Sequence, residues 1–246
     1  FNGIYYFGND NGRMVQKAGW VTCEGQQYYV DQNGKMLVNR WKDGYYLKSN
    51  GTIAKNMKTP DGQYVDWQGR KSTRSEYALS AFKSELESFV SAYGGNWSVY
   101  IKDLKTGNVV NINDREMYPA STTKILTAYV ALKYGDLNGI YTVSENAADQ
   151  ASDSSVCNLK AGEQLSLQQL LYGLLLRSGN DAAIVIAEGI SGDVSSFAEL
   201  MNKEAKMLGA TDSHFVNANG LQDENHYTTV YDLYLIFQAA IQNPTF

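Results

Sequence analysis

The chain has 246 residues, 43% hydrophobic and 19% charged, with 3 prolines, 2 cysteines and 2 histidines. That composition supplies a core for one or two domains and excludes collagen, coiled coil and disorder. A net charge of −5 argues against bulk polyanion or nucleic-acid binding. No apolar run reaches the ~18 residues that cross a bilayer. So few cysteines and histidines make neither a disulfide scaffold nor a zinc site, and no metal or cofactor is expected.

Residues 1–70 carry a charge of +3 and residues 71–246 carry −8. The first segment is aromatic and repeats itself. Gly3-Ile4-Tyr5-Tyr6-Phe7 leads to Asn11-Gly12, Gln27-Tyr28-Tyr29-Val30 to Asn33-Gly34, Gly44-Tyr45-Tyr46-Leu47 to Asn50-Gly51, and Gln63-Tyr64-Val65-Asp66 to Gln68-Gly69. Each unit reads as a short aromatic strand, an Asn-Gly turn that tolerates positive φ, and a second short strand. One hairpin is marginal alone, but stacked hairpins bury their aromatic faces and make a solenoid. With Gly19-Trp20 and Arg40-Trp41, the segment resembles the cell-wall-binding repeats of the choline- and glucan-binding surface modules of Gram-positive bacteria. The resemblance implies an extracellular, wall-associated protein. It also implies an aromatic cage for choline or another wall polymer, with Trp20, Tyr28, Trp41 and Tyr46 as candidates. The alternative is that these rings only hold the hairpins together.

Residues 71–75 read as a polar linker, and 76–246 as a second domain. Tyr77, Leu79, Phe82, Leu86, Phe89 and Val90 recur at helical spacing, and Gly94-Gly95 ends that helix. Trp97–Leu104 and Asn108–Asn113 read as two strands around Lys105-Thr106-Gly107. Helices are expected at about 122–134, 166–177, 180–189, 194–208 and 228–242.

Two stretches carry chemistry. In Tyr118-Pro119-Ala120-Ser121-Thr122-Thr123-Lys124 a Pro-containing turn feeds a helix, and Ser121 and Lys124, three residues apart, face the same way. Serine needs an adjacent base to act as a nucleophile, and a lysine serves if burial keeps its amine neutral. The helix N-terminus adds N–H groups that can stabilise an oxyanion. The second stretch is Ser178-Gly179-Asn180, a tight turn between two apolar helices that can point a hydroxyl and an amide at the same cleft. Alone, each stretch also reads blandly, as a helix cap with a solvated lysine and as a connector.

Together with Leu208-Gly209-Ala210, His214-Phe215-Val216-Asn217-Ala218-Asn219-Gly220-Leu221 and Thr228-Thr229 with Asp232-Leu233, these stretches resemble the D-alanyl-D-alanine carboxypeptidases, the low-molecular-weight penicillin-binding proteins. The resemblance implies an α/β serine hydrolase of the β-lactamase/transpeptidase-like fold, a helical subdomain plus an antiparallel sheet, behind the N-terminal β-hairpin repeat solenoid. It implies Ser121 as the acylated nucleophile, Lys124 as its base, Ser178 as a proton relay and Asn180 as the group that holds Lys124 and the substrate amide. It implies D-Ala-D-Ala stem peptides and β-lactam antibiotics as partners.

The family's third motif, Lys-Thr-Gly on a late strand, is expected beyond Phe246, with the C-terminal strands of the sheet. Lys105-Thr106-Gly107 precedes Ser121 and reads as a hairpin turn instead. Two rival functions remain. A class A-like β-lactamase usually carries Asp where this chain has Gly179, and a non-catalytic wall-binding or adhesion protein would keep the hydrolase domain as scaffold. His214 and His226 invite a Ser-His-Asp reading, but the chain has no Gly-x-Ser-x-Gly elbow, and His214 reads as a structural or surface residue. Cys23 and Cys157 read either as a bridge between the domains or as free thiols.

Overall fold

The computed structural model describes residues 17–151 and 153–246. The first of the four repeats, from Gly3 to Gly12, lies outside the described residues. The chain forms two compact units, divided between Gly95 and Asn96.

In the first unit, β1 (Gly19–Cys23) pairs with β2 (Gln26–Val30), and β3 (Arg40–Lys42) with β4 (Tyr45–Leu47). The two-residue turns that join them are Glu24-Gly25 (φ 49° and 74°) and Asp43-Gly44 (φ 49° and 84°). Two positive φ values in succession match the twist of a tight hairpin. The Asn33-Gly34 and Asn50-Gly51 turns lie where expected, after the aromatic strands β2 and β4. They close shorter loops held by single bridges, Val30 to Met36 and Leu47 to Ile53. They also let one repeat sit on the next. A Cβ on Gly51 would lie 2.3 Å from Met36 Sδ, and one on Gly69 would lie 2.5 Å from Ile53 Cγ2.

A three-stranded sheet follows, β5 (Met57–Lys58), β6 (Tyr64–Val65) and β7 (Lys71–Ser72). Lys71 and Ser72, read from sequence as linker, therefore belong to a strand. Val30, Leu47 and Val65 recur at the end of successive aromatic strands and are fully buried.

Helix α1 (Arg74–Ala92) starts at a capping box between Thr73 and Glu76. It clusters with the repeats: Ser80 Oγ accepts from Trp67 N–H at 3.1 Å, and the Tyr77 ring lies 5.1 Å from Tyr64. Its apolar stripe is covered only in part, with Val90 buried and Phe82 and Phe89 exposed.

The second unit begins with the hairpin β8 (Val99–Lys102) and β9 (Val109–Ile112). Lys105-Thr106-Gly107 forms its turn, with Asp103 Oδ1 accepting from the Lys105 and Thr106 amides. Residues Ala120–Thr122 make one tight turn that runs into α2 (Thr123–Tyr134). Next come β10 (Ile140–Thr142), the short α3 (Glu145–Ala148), and β11 (Gln164–Ser166), which pairs with β10. The helices α4 (Leu167–Leu176), α5 (Asn180–Ser191), α6 (Val194–Met207) and α7 (Val230–Ala240) complete the unit.

Helix α5 is buried from Asn180 through Ala187, because Ala182-Ala183-Ile184-Val185-Ile186-Ala187 is apolar on every face and packs inside the bundle. Helix α2 packs against α4, α5, α6 and α7. Its last turn is tied to α6, where fully buried Glu204 accepts from Lys133 Nζ at 2.6 Å and from the Tyr134 hydroxyl.

Candidate active site

Ser121 is exposed on the turn that opens α2, and Lys124 is buried one turn further on, 2% exposed. Lys124 Nζ donates to Ser121 Oγ at 3.2 Å, to Asn180 Oδ1 at 2.8 Å and to the Asn219 carbonyl at 2.6 Å. All three donor positions of the amine are used. Burial pushes the Lys124 pKa down from 10.5 to about 8. The result is a serine hydroxyl in reach of solvent beside an amine that can lose its proton near neutral pH.

Asn180 is the first residue of α5 and is oriented at both ends of its amide. Oδ1 faces Lys124, and Nδ2 donates to Ser154 Oγ at 2.7 Å. The loop that carries Ser154 is held in turn by buried Asp181, whose carboxylate accepts from the Cys157 and Leu159 amides.

Ser178 sits in the left-handed region, at φ 55°, just before α5. Its Oγ is buried and bonds to no group of the protein, a state that is costly unless a ligand or water completes it. Gly179 is required for space. A Cβ there would lie 2.7 Å from Cys157 Sγ and 2.8 Å from Asp181 Oδ1.

The structure thus brings Ser121, Lys124 and Asn180 into one hydrogen-bonded group and places Ser178 two residues before Asn180. Three contacts were not read from the sequence. The Asn219 carbonyl ligates Lys124, Ser154 orients Asn180, and His226 Nε2 lies 2.8 Å from Thr123 Oγ1. Backbone carbonyls carry no residue-type signal, and the other two join residues 26 and 103 positions apart in sequence. Asn219-Gly220 stands in the quoted family text, but nothing in those letters says that a lysine is reached.

The four aromatic candidates of the repeats fall into different groups. Trp20 packs edge-on against Tyr29 and Tyr45, at 5.4 and 5.6 Å, and its indole N–H donates to Asp43. Tyr28 pairs with Val21, so strand alternation turns it to the face opposite Tyr29. Trp41 packs on Tyr46, which is 5% exposed and belongs to the hairpin core with Ala54 and Val65. Cations already lie on two of these rings, Lys42 Nζ 4.8 Å from the centre of Tyr29 and Lys71 Nζ 5.7 Å from that of Trp41.

Cys23 and Cys157 are both free thiols, Cys23 exposed and Cys157 half-buried. Among the described residues no group of three or more His, Cys, Asp or Glu could hold a metal ion, and no helix is long and apolar enough to cross a membrane.

Residues 96–245 match the family model described as D-alanyl-D-alanine carboxypeptidase. Residues 35–70 match a choline-binding repeat, and residues 18–36 a putative cell wall binding repeat. The D-alanyl-D-alanine carboxypeptidase DacB2 of Mycobacterium tuberculosis is 40% identical over 150 residues, which cover 59% of this chain and 50% of that protein. DacF of Bacillus subtilis is 36% identical over 153 residues, covering 59% and 39%.

Among solved structures, a D-alanyl-D-alanine carboxypeptidase from Mycobacterium tuberculosis superposes with a TM-score of 0.57 at 35% identity, over 62% of this chain and 58% of that one. A serine-to-alanine mutant of the Streptomyces K15 DD-transpeptidase gives 0.57 at 33%, over 61% and 62%. The chain spans half or less of the length of the two curated relatives, DacB2 and DacF.

Proposed function

The chain belongs to the D-alanyl-D-alanine carboxypeptidase family, and from that membership we propose that the whole protein is a serine D,D-carboxypeptidase of peptidoglycan, held at the cell wall by its N-terminal repeats. The observation that carries the proposal is the Lys124 amine, buried and hydrogen-bonded to Ser121 Oγ at 3.2 Å and to Asn180 Oδ1 at 2.8 Å.

In the proposed reaction the neutral Lys124 amine takes the Ser121 proton as Oγ attacks the carbonyl of the penultimate D-Ala. The Ser121 N–H, at the opening turn of α2, stabilises the oxyanion. Ser178 Oγ, unpaired within the protein, relays that proton from the Lys124 ammonium to the departing D-Ala amine, which leaves Lys124 neutral again. Asn180, locked by Ser154, holds Lys124 and the substrate amide. Water then attacks the acyl-enzyme, giving a proton to Lys124 that passes on to Ser121 Oγ as the ester breaks, and the shortened stem peptide leaves. A penicillin acylates the same serine.

Packing supports the peptidase over a class A-like β-lactamase. The Asp that such enzymes carry in the second motif would need side-chain space at Gly179 that Cys157 and Asp181 already fill.

For the repeats we propose a cationic or sugar group of a wall polymer as ligand, choline included. Supporting it are the family matches and the rings of Trp20, Trp41, Tyr29 and Tyr45, two of which already hold lysines. Tyr28 and Tyr46 are the weaker members of the expected cage, one on the opposite strand face and one in the core. We place the protein outside the cell, at a Gram-positive wall.

The test incubates the full-length protein with a fluorescent penicillin and with a stem pentapeptide. Covalent label that disappears in Ser121→Ala, with D-Ala released, is expected. Label that survives Ser121→Ala, or none in the parent, refutes the activity. Label without D-Ala release favours the scaffold alternative.

A further inference from the structure

We propose that His226 is a positioning residue for the nucleophile, holding the Ala120–Thr123 turn through a hydrogen bond from its Nε2–H to Thr123 Oγ1 so that Ser121 stays aimed at Lys124. The proposal rests on the serine-peptidase function above.

Ala120, directly before Ser121, has φ 48°, a left-handed backbone that a non-glycine residue keeps only where its surroundings impose it. The segment from Phe215 to Thr228 supplies those surroundings. Before the nucleophile, Met117 exchanges backbone hydrogen bonds with Thr228, at 2.9 and 3.0 Å. Gly220, at φ 86°, lays its bare Cα against the turn. A Cβ there would lie 1.9 Å from the Ala120 carbonyl oxygen and 3.0 Å from Thr123 Oγ1.

After the nucleophile, the grip is His226. Its Nδ1 accepts from the Val216 N–H at 3.2 Å. The proton of the neutral ring therefore sits on Nε2, which donates to Thr123 Oγ1 at 2.8 Å. The ring is 1% exposed and stands edge-on to Phe215. Thr123 is fully buried, so the bond is dry at both ends, where such bonds hold geometry best.

Thr123 lies between Ser121 and Lys124. Its neighbour Lys124 is drawn to the Asn219 carbonyl of the same segment. Segment and turn are therefore fastened on both sides of Ser121, and His226 is the side chain that closes the far side. A histidine that served only as core filling would affect stability but not the register of Ser121 against Lys124.

The test uses the full-length protein with His226→Phe, Thr123→Val, the two together, and His226→Gln, whose amide N–H can take the place of Nε2–H. Penicillin acylation is resolved into its binding constant and its first-order step, and amide exchange is followed at Thr122, whose N–H donates to the Pro119 carbonyl at 3.2 Å. In His226→Phe the first-order step should slow about 10–100-fold, with binding changed less than about 3-fold, the scale of loss that a displacement of about 1 Å brings. Thr123→Val should match it, the pair should lose no more than either alone, and His226→Gln should regain most of the rate. Exchange at Thr122 should quicken in the Phe and Val variants.

A folded His226→Phe with the parental rate, or losses that multiply in the pair, overturns the proposal. If His226→Phe does not fold, a His226→Gln as slow as Thr123→Val overturns it. If the parent is not acylated at all, the peptidase function falls and exchange alone decides: unchanged protection in Thr123→Val then refutes the clamp.

Discussion

Raising the pH through the Lys124 titration should switch acylation on, and the structure sets where and by how much. Burial moves this amine from its ordinary 10.5 to about 8, a penalty on the ammonium of about 3 kcal/mol. The free-base fraction of an amine with that pKa is about 1% at pH 6, about 10% at pH 7 and about 90% at pH 9. Were Ser121 activated by free-base Lys124, the first-order acylation step would rise about 90-fold from pH 6 to 9, with a midpoint near 8. An unperturbed lysine would leave about 300-fold less free base at pH 7 than this one does. The assay is stopped-flow acylation by a fluorescent penicillin, with Ser121→Ala as the blank. An NMR titration of the Lys124 side chain, assigned by Lys124→Arg, gives the pKa without reference to activity. A rate flat over this range, or a lysine inflection near 10.5, would show that burial does not prepare the base.

Three further outcomes follow from the packing. Gly220→Ala places a Cβ 1.9 Å from a backbone oxygen at φ 86°; the second unit should lose about 4 kcal/mol or more, read as a large fall in denaturation midpoint. Lys133→Met leaves fully buried Glu204 without its ammonium partner, and urea unfolding should report a loss of about 3 kcal/mol, reduced to the extent that Tyr134 still donates. His226 concerns acid stability. Burial pushes its pKa from 6.5 down to about 4, with the Asp223 charge opposing and His214 adding to the shift. The unfolded chain binds the proton near 6.5 and the folded chain only near 4, so this contribution is complete above pH 6.5. It should be lost as pH falls from 6.5 to 4, by up to about 3 kcal/mol. Subtracting the pH dependence of His226→Gln from that of the parent isolates the slope, and identical curves would exclude the effect.

How much of this was legible in the letters can be judged element by element. The helices α2, α4, α5, α6 and α7 lie within a few residues of their expected spans, because their apolar spacing and end signals are local. The turn after each aromatic strand was legible, at Asn33-Gly34, Asn50-Gly51 and Gln68-Gly69; the turn before each aromatic strand was not. Glu24-Gly25 and Asp43-Gly44 make further tight turns before the aromatic strands, and Gly51 and Gly69 also come into close contact with the neighbouring repeat. Helix α1 carries a readable apolar stripe, but no sequence rule shows that it clusters with the repeats or that Phe82 and Phe89 stay uncovered.

The sequence by itself determined the pairing of Ser121 with Lys124. A helix places residues three apart on one face whatever surrounds them. Tertiary structure alone decided the state of that pair. The pKa of Lys124 depends on its removal from water and on partners as distant in sequence as Asn180 and Asn219. Gly220 and His226, about a hundred residues on in the chain, are packed against the turn that carries Ser121. Desolvation and steric enforcement are properties of a packed neighbourhood, and no local run of residues contains them.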